Sequence, residues 1–133
     1  MIVLDTHILI WWVNNDGQLS QAAKKAITKE SKSEDGEILV STITTWEIAM
    51  LIKKGRLSLS MDITDWIANT ADIEKLRYVP LDNDVAMHSV ELPGDFHPDP
   101  ADRIITALAR KQNVSLVTAD RKIRDYKFVK TIW

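Results

Sequence analysis

The chain has no cysteine. That single absence excludes disulfide scaffolds, thiolate zinc sites, iron–sulfur clusters and cysteine nucleophiles together, and it fits a reducing compartment. Glycine and proline number four each, and no low-complexity segment, internal repeat or linker is visible. No apolar run approaches the roughly 20 residues of a membrane span. Met1 leads straight into Ile-Val-Leu-Asp, without the basic flank, apolar run and small-residue cleavage site of a signal peptide. The expectation is a soluble, cytoplasmic protein that meets no membrane. Charge of one sign is missing too. Seventeen Lys and Arg against nineteen Asp and Glu give −2, so the total points to no polyanionic partner.

What is there is a globular composition, 45% apolar and 27% charged over 133 residues. A chain this long buries roughly two-thirds of its unfolded surface, enough for an unassisted core, and 1–133 reads as a single domain. The distribution of charge says more than its sum. From Asp120 onward five basic residues (Arg121, Lys122, Arg124, Lys127, Lys130) stand against two acidic ones. That end reads as solvated basic surface or as a patch for a phosphate backbone.

Short apolar runs alternate with helical patterns. Residues 2–4 (Ile-Val-Leu) read as a buried strand, followed by a helix over about 6–14 that closes at Asn14-Asn15-Asp16-Gly17. Ser20 is placed to cap a helix through about 30, with Ala22, Ala23, Ala26 and Ile27 at helical spacing. Ile38–Val40 is a second strand, and the helical pattern after it runs to Lys54, with Gly55 as its C′ residue. A helix from Asp62 or Thr64 through Leu76, a strand over 78–81, and a helix from Asp82 to about 91 follow. The segment 93–100 holds three prolines and cannot be regular structure. A helix from Asp102 to about Asn113, a strand over 114–117 and a short helix complete the pattern. Such alternation predicts an α/β fold with a mostly parallel sheet, whose ligands collect beyond the carboxyl ends of the strands.

Four acids fall at that edge or beside it. Asp5 follows the first strand, Glu47 lies in the first turns of the helix after the second, Asp120 follows the fourth, and Asp102 opens the helix feeding the fourth. Asp5, Asp102 and Asp120 each also stand where an N-cap aspartate would satisfy helix N–H groups. Glu47 shares a helical stripe with Ile43, Met50 and Leu51. A carboxylate there needs a partner, either a cation such as Lys54 one turn on or a metal ion. If the four converge, their mutual repulsion is relieved by a divalent cation, and an all-oxygen set suits Mg²⁺ or Mn²⁺. One or two such ions activate water and stabilise charge on a phosphodiester.

Ile2-Val-Leu-Asp-Thr-His7, Thr45-Trp-Glu-Ile48, Asp99-Pro-Ala-Asp-Arg-Ile-Ile-Thr-Ala107 and Leu116-Val-Thr-Ala-Asp120 together resemble, in order and spacing, the four acidic motifs of PIN-domain ribonucleases. Within that family the chain is most similar to the small VapC-type toxins of bacterial toxin–antitoxin pairs. The resemblance covers essentially the whole chain. It implies a three-layer α/β/α sandwich and Mg²⁺-dependent endonucleolytic cleavage of RNA, with water as nucleophile, leaving 5′-phosphate and 3′-hydroxyl ends. By the same resemblance Asp5, Glu47, Asp102 and Asp120 hold the metal, and one of Asp5, Asp102 and Asp120 orients the water. Thr118 supports the site by hydrogen bonding, and Thr6 is the small hydroxyl residue after the first acid. Asp99 is either a supporting ligand or a turn residue before Pro100. Arg103 is assigned to phosphate or to the nearby carboxylates, and His7 and His97 to structure or to substrate rather than to metal. Two partners besides RNA are implied, a second copy of the chain and a cognate antitoxin whose tail covers the acids.

Among the five tryptophans, Trp46 and Trp66 sit in helical patterns and read as core. Trp11 and Trp12 occupy adjacent helical positions about 100° apart, so at least one approaches the surface. A protein interface is the simpler reading and base stacking the other. Two alternatives to a nuclease remain to be weighed. A degenerate PIN-like module that binds RNA or protein is opposed by intact acids at all four motif positions. A phosphotransfer protein with Asp5 as nucleophile would want a second aspartate where His7 stands, or an acidic pair before its first loop and a late lysine. Neither pattern is present.

Overall fold

Three-residue β1 (Ile2–Leu4) illustrates how the sheet is built. Its side chains alternate between faces, with Ile2 and Leu4 in one hydrophobic core and Val3 in the other. The computed structural model describes residues 1–133. Along the chain follow α1 (Thr6–Val13), α2 (Gln21–Lys32), β2 (Ile38–Ser41), α3 (Thr42–Lys53), α4 (Ile63–Ala71), β3 (Leu76–Val79), α5 (Asn83–Val90), α6 (Pro100–Gln112), β4 (Ser115–Val117), α7 (Arg121–Arg124) and β5 (Thr131–Ile132). The strands form one sheet in the order β3-β2-β1-β4-β5, and every pairing is parallel.

Helices cover both faces, which makes three layers. Ile8, Leu9 and Ile10 of α1, Ile27 of α2, Ile48 of α3 and Trp66 of α4 pack on Leu4, Ile38 and Val40. On the opposite face Val85 of α5, Ile105 and Leu108 of α6, and Ile123 of α7 pack on Val3, Leu39 and Leu116. Strands buried on both sides read as continuous apolar runs, and β1 and β2 do so. The α/β/α architecture expected from the sequence is therefore present. No helix is long and apolar enough to cross a membrane.

Two elements differ from expectation. The helix expected to reach Leu76 stops at Ala71, because Asp72 caps it and Lys75 takes a left-handed φ of 72° that starts β3 two residues early. Asp102 does not open its helix. Asp99 is the N-cap, its carboxylate accepting from the Asp102 N–H at 3.0 Å, with Pro100 at the first helical position.

This topology sets up the site. The chain builds outward from β1 through β2 to β3, then returns to the other side of β1 with β4. The reversal lies between β1 and β4, whose carboxyl ends carry Asp5 and the Thr118-Ala119-Asp120 segment. Crevices at such reversals are where open parallel sheets bind ligands.

Candidate metal centre

Asp5 leaves β1 with its N–H bonded to the Val117 carbonyl of β4, 3.0 Å away, so the ladder fixes its direction. Its side chain is buried and fully engaged. One oxygen accepts from the Thr6 N–H at 2.9 Å and the other from the Thr118 hydroxyl at 2.7 Å. Burial nevertheless raises its pKa above the usual carboxylate value, against those two hydrogen bonds. Thr118 has a second contact, accepting the Asp120 N–H at 3.1 Å, so one hydroxyl ties the ends of β1 and β4 together.

Glu47 enters from α3, whose start is fixed by the Ser41 side chain accepting the Ile43 N–H. The Thr6 hydroxyl donates to Glu47 Oε1 at 2.5 Å and stands 3.0 Å from the buried hydroxyl of Thr44. Burial, opposed by the Thr6 bond and reinforced by the charges of Asp5 and Asp99, pushes the Glu47 pKa up to about 7. Lys54, the expected cationic partner, forms no ion pair with it. The stripe Glu47 shares with Ile43, Met50 and Leu51 is only half-buried, and α3 turns Thr44 and Ile48 inward instead. Glu47 is half-buried and lines a cavity.

That cavity, of about 390 Å³, is lined by Asp5, Glu47, Asp99, Asp102 and Asp120, with His7, Trp11 and Ala119 completing its wall. Carboxylate oxygens of Glu47, Asp99 and Asp102 lie within 4.8 Å of one another. Asp102 is pushed up to about pKa 8, first by burial and then by the charges of Asp5, Asp99, Asp120 and Glu47. No Lys or Arg lies within ion-pair distance of any of the five acids. His97 Nε2 stands 3.1 Å from Asp102 Oδ2 but outside hydrogen-bond geometry. Five carboxylates facing one space with no lysine or arginine among them fit a hard divalent ion. The donors are all oxygen, and the ionised forms of Asp5, Glu47 and Asp102 are disfavoured until positive charge arrives.

The four acids expected from the sequence thus share one cavity, and Asp99 joins them. It is more than a turn residue, since it caps α6 and contributes an oxygen to the closest trio. The only signal for it was its spacing three residues before Asp102, which a capping aspartate alone also explains. Arg103 does not pair with the nearby carboxylates: its guanidinium donates to the main-chain carbonyls of Ser89, Val90, Phe96 and His97. The physical reason is local. The last carbonyls of α5 have no helical partners, and a five-donor fork satisfies them while strapping the 91–97 loop to α6. Trp46, read as core, is 54% exposed, whereas Trp66 is buried as expected. Thr44, which the sequence reading passed over, is fully buried beside Thr6.

Comparison with known proteins finds relatives over nearly the whole chain. The chain is 34% identical to Ribonuclease VapC22 of Mycobacterium tuberculosis, over 99% of this chain and 98% of that one. Among solved structures, VapC20 of M. tuberculosis, a sarcin–ricin loop cleaving toxin, superposes with a TM-score of 0.69 at 16% identity, covering 98% of both chains. VapBC2 of Rickettsia felis, bound to a DNA fragment from its promoter, gives 0.68 at 17% identity over 98% of this chain and 97% of that one. At such identities these two speak for the fold alone. The family model for the PIN domain matches residues 2–129, nearly the whole of the sheet and every acid of the cavity, and the chain belongs to the PIN domain family.

Proposed function

We propose that the protein is a metal-dependent endoribonuclease and the toxin of a toxin–antitoxin pair, acting through Asp5, Glu47, Asp102 and Asp120 with Asp99 as a further ligand. The observation that carries this reading is the cavity in which five carboxylates converge without a lysine or arginine within ion-pair distance. The resemblance to a ribonuclease over almost the full length of both chains supports the choice of substrate.

Mg²⁺ or Mn²⁺, as one or two ions, suits the oxygen donors. Bound there, the ion supplies neutralising charge for the phosphodiester and lowers the pKa of water. The chain's own residues do the rest. Thr118 and the Thr6 N–H hold both oxygens of Asp5 in place, and the Thr6 hydroxyl holds Glu47, so the carboxylates are oriented before any ligand arrives. One of Asp5, Asp102 and Asp120 accepts a hydrogen bond from the attacking water and turns its lone pair toward phosphorus. The water oxygen bonds to phosphorus while the bond to the 3′-oxygen breaks. The water's proton passes to the carboxylate and onward to solvent, and the leaving oxygen takes up a proton as a 3′-hydroxyl.

The same carboxylates suit an antitoxin tail carrying Arg or Lys, which would bond to them and compete with the metal. A homodimer is the second protein contact in this proposal. The test is RNA cleavage with Mg²⁺ or Mn²⁺ and with a chelator, for the wild type, Asp5→Asn and Asp102→Asn. Cleavage should need the ion. Each variant should lose more than the roughly 10- to 100-fold typical of disturbing an outer-shell partner, while circular dichroism stays native. RNA binding without cleavage by the wild type would instead favour a degenerate binding module.

A further inference from the structure

Trp11 stands out in the acidic cavity as its single large apolar side chain, Ala119 being the other hydrophobic residue in the wall. It is partly exposed, on the first helix, two turns from Asp5. His7 lies on one side, its ring centroid 5.8 Å away at an interplanar angle of 51°. Trp133 lies on another at 5.9 Å and 46°. Both neighbours meet the indole tilted. They fix its plane, and neither lies flat on it in a stacked position. Trp11 and Trp12, at adjacent helical positions, both pack against the same core, but only Trp11 lines the acidic cavity.

We propose that Trp11 is a stacking platform for an unpaired nucleobase next to the scissile phosphate, and so a specificity-determining residue for single-stranded or looped RNA. This rests on the ribonuclease reading above. A cavity walled by carboxylates attracts a nucleotide through its phosphate and a metal, and apart from the His7 imidazole its wall offers the base no polar contact of positive sign. An indole held open beside those acids supplies the missing contact, because every base has a π-face and stacking tolerates any sequence. A base inside a duplex is already stacked on its neighbours, so the platform selects nucleotides that have left a helix. A docked protein helix would need an extended apolar groove with several anchors. This wall offers a single indole among acids, in a volume of small-ligand size.

The experiment first maps a bond that the wild type cuts in total RNA, then uses a synthetic RNA fragment spanning it. Two further fragments carry an abasic ribose immediately 5′ or 3′ of that bond. Trp11→Leu keeps apolar bulk against Trp133 without an aromatic face, and Trp11→Phe keeps a stackable ring. Thermal melting checks that both fold. On the intact fragment Trp11→Leu should lower kcat/KM by about 10- to 100-fold, with Trp11→Phe within about 5-fold of wild type. On one of the two abasic fragments the wild type should fall by a similar factor, and Trp11→Leu should cause no further loss. Equal losses on intact and on both abasic fragments would make Trp11 a structural residue and overturn the proposal. Unchanged cleavage by Trp11→Leu would also overturn it, leaving the indole to a protein partner. No cleavage of any RNA by the wild type would remove the ribonuclease reading and this inference together, whereas cleavage that is lost in Asp5→Asn but indifferent to Trp11 removes the inference alone.

Discussion

The surroundings of Asp102 disfavour its ionised form. Its carboxyl is mostly buried, faces four other acids and has a pKa near 8. The folded state therefore binds its proton more tightly than the unfolded chain, where the carboxyl has its ordinary value. Between the unfolded value near 4 and the folded value near 8, each rise in pH costs stability, and the cost is complete above 8. Removing the charge at constant shape should reverse it. In the presence of a chelator at about pH 8, Asp102→Asn should melt a few degrees higher than wild type, the size of a roughly 1 kcal/mol gain, with little difference at about pH 4. A lower melting temperature at pH 8 would mean that the carboxylate is held by structural bonds the fold needs. Asp5 differs in kind. Its pKa is raised as well, yet Thr118 and the Thr6 N–H bond to the charged form, so Asp5→Asn sacrifices contacts that Asp102→Asn does not.

Among the elements, those with local signals were legible. Ser20 caps α2 and Asp82 caps α5 as their positions indicated, and Gly55 takes a φ of 71° just beyond α3. The apolar runs of β1, β2 and β4 stand within a residue of where the sequence put them. What failed lacked such a signal. β3 neighbours only β2 and is half-exposed, so its pattern is short, and the left-handed Lys75 before it leaves no compositional trace. β5 has two residues, below the length at which any period shows. α3 is apolar almost all round, so its buried stripe could not be read. It turns Thr44 and Ile48 inward and leaves Trp46 outside. The acids were legible because parallel strands bring their carboxyl ends together. The place of Asp99 depended on the cap geometry of α6. One prediction belongs to the junction of α2 and β2. A Cβ at Gly36 would stand 1.8 Å from the Glu30 carbonyl oxygen, backbone that cannot rotate away. Gly36→Ala should cost at least about 1–3 kcal/mol in urea unfolding. A change within about 0.5 kcal/mol would show that the loop swings aside at little expense.

For the molecule as a whole, the raised acids make stability and metal binding one linked equilibrium. Asp5, Glu47 and Asp102 all hold protons above the ordinary carboxylate range. A cation that binds only their ionised forms competes with those protons. Mn²⁺ or Mg²⁺ should therefore raise the melting temperature at about pH 8 and do much less at about pH 5, by mass action on the folded state alone. An equal effect at both values would place the ion elsewhere. The connectivity carries a separate consequence. The hydrogen bond from Thr118 to Asp5 spans 113 residues, and β1 stays one neighbour short until β4 docks beside it. Folding during synthesis proceeds from the N-terminus. A nascent chain can lay down β1, β2 and β3 with their helices while Asp5 still lacks Thr118 and Asp120. A nuclease wired this way is blunt for most of its birth, beside a ribosome made largely of the polymer it would cut, and becomes sharp only when the last strands emerge.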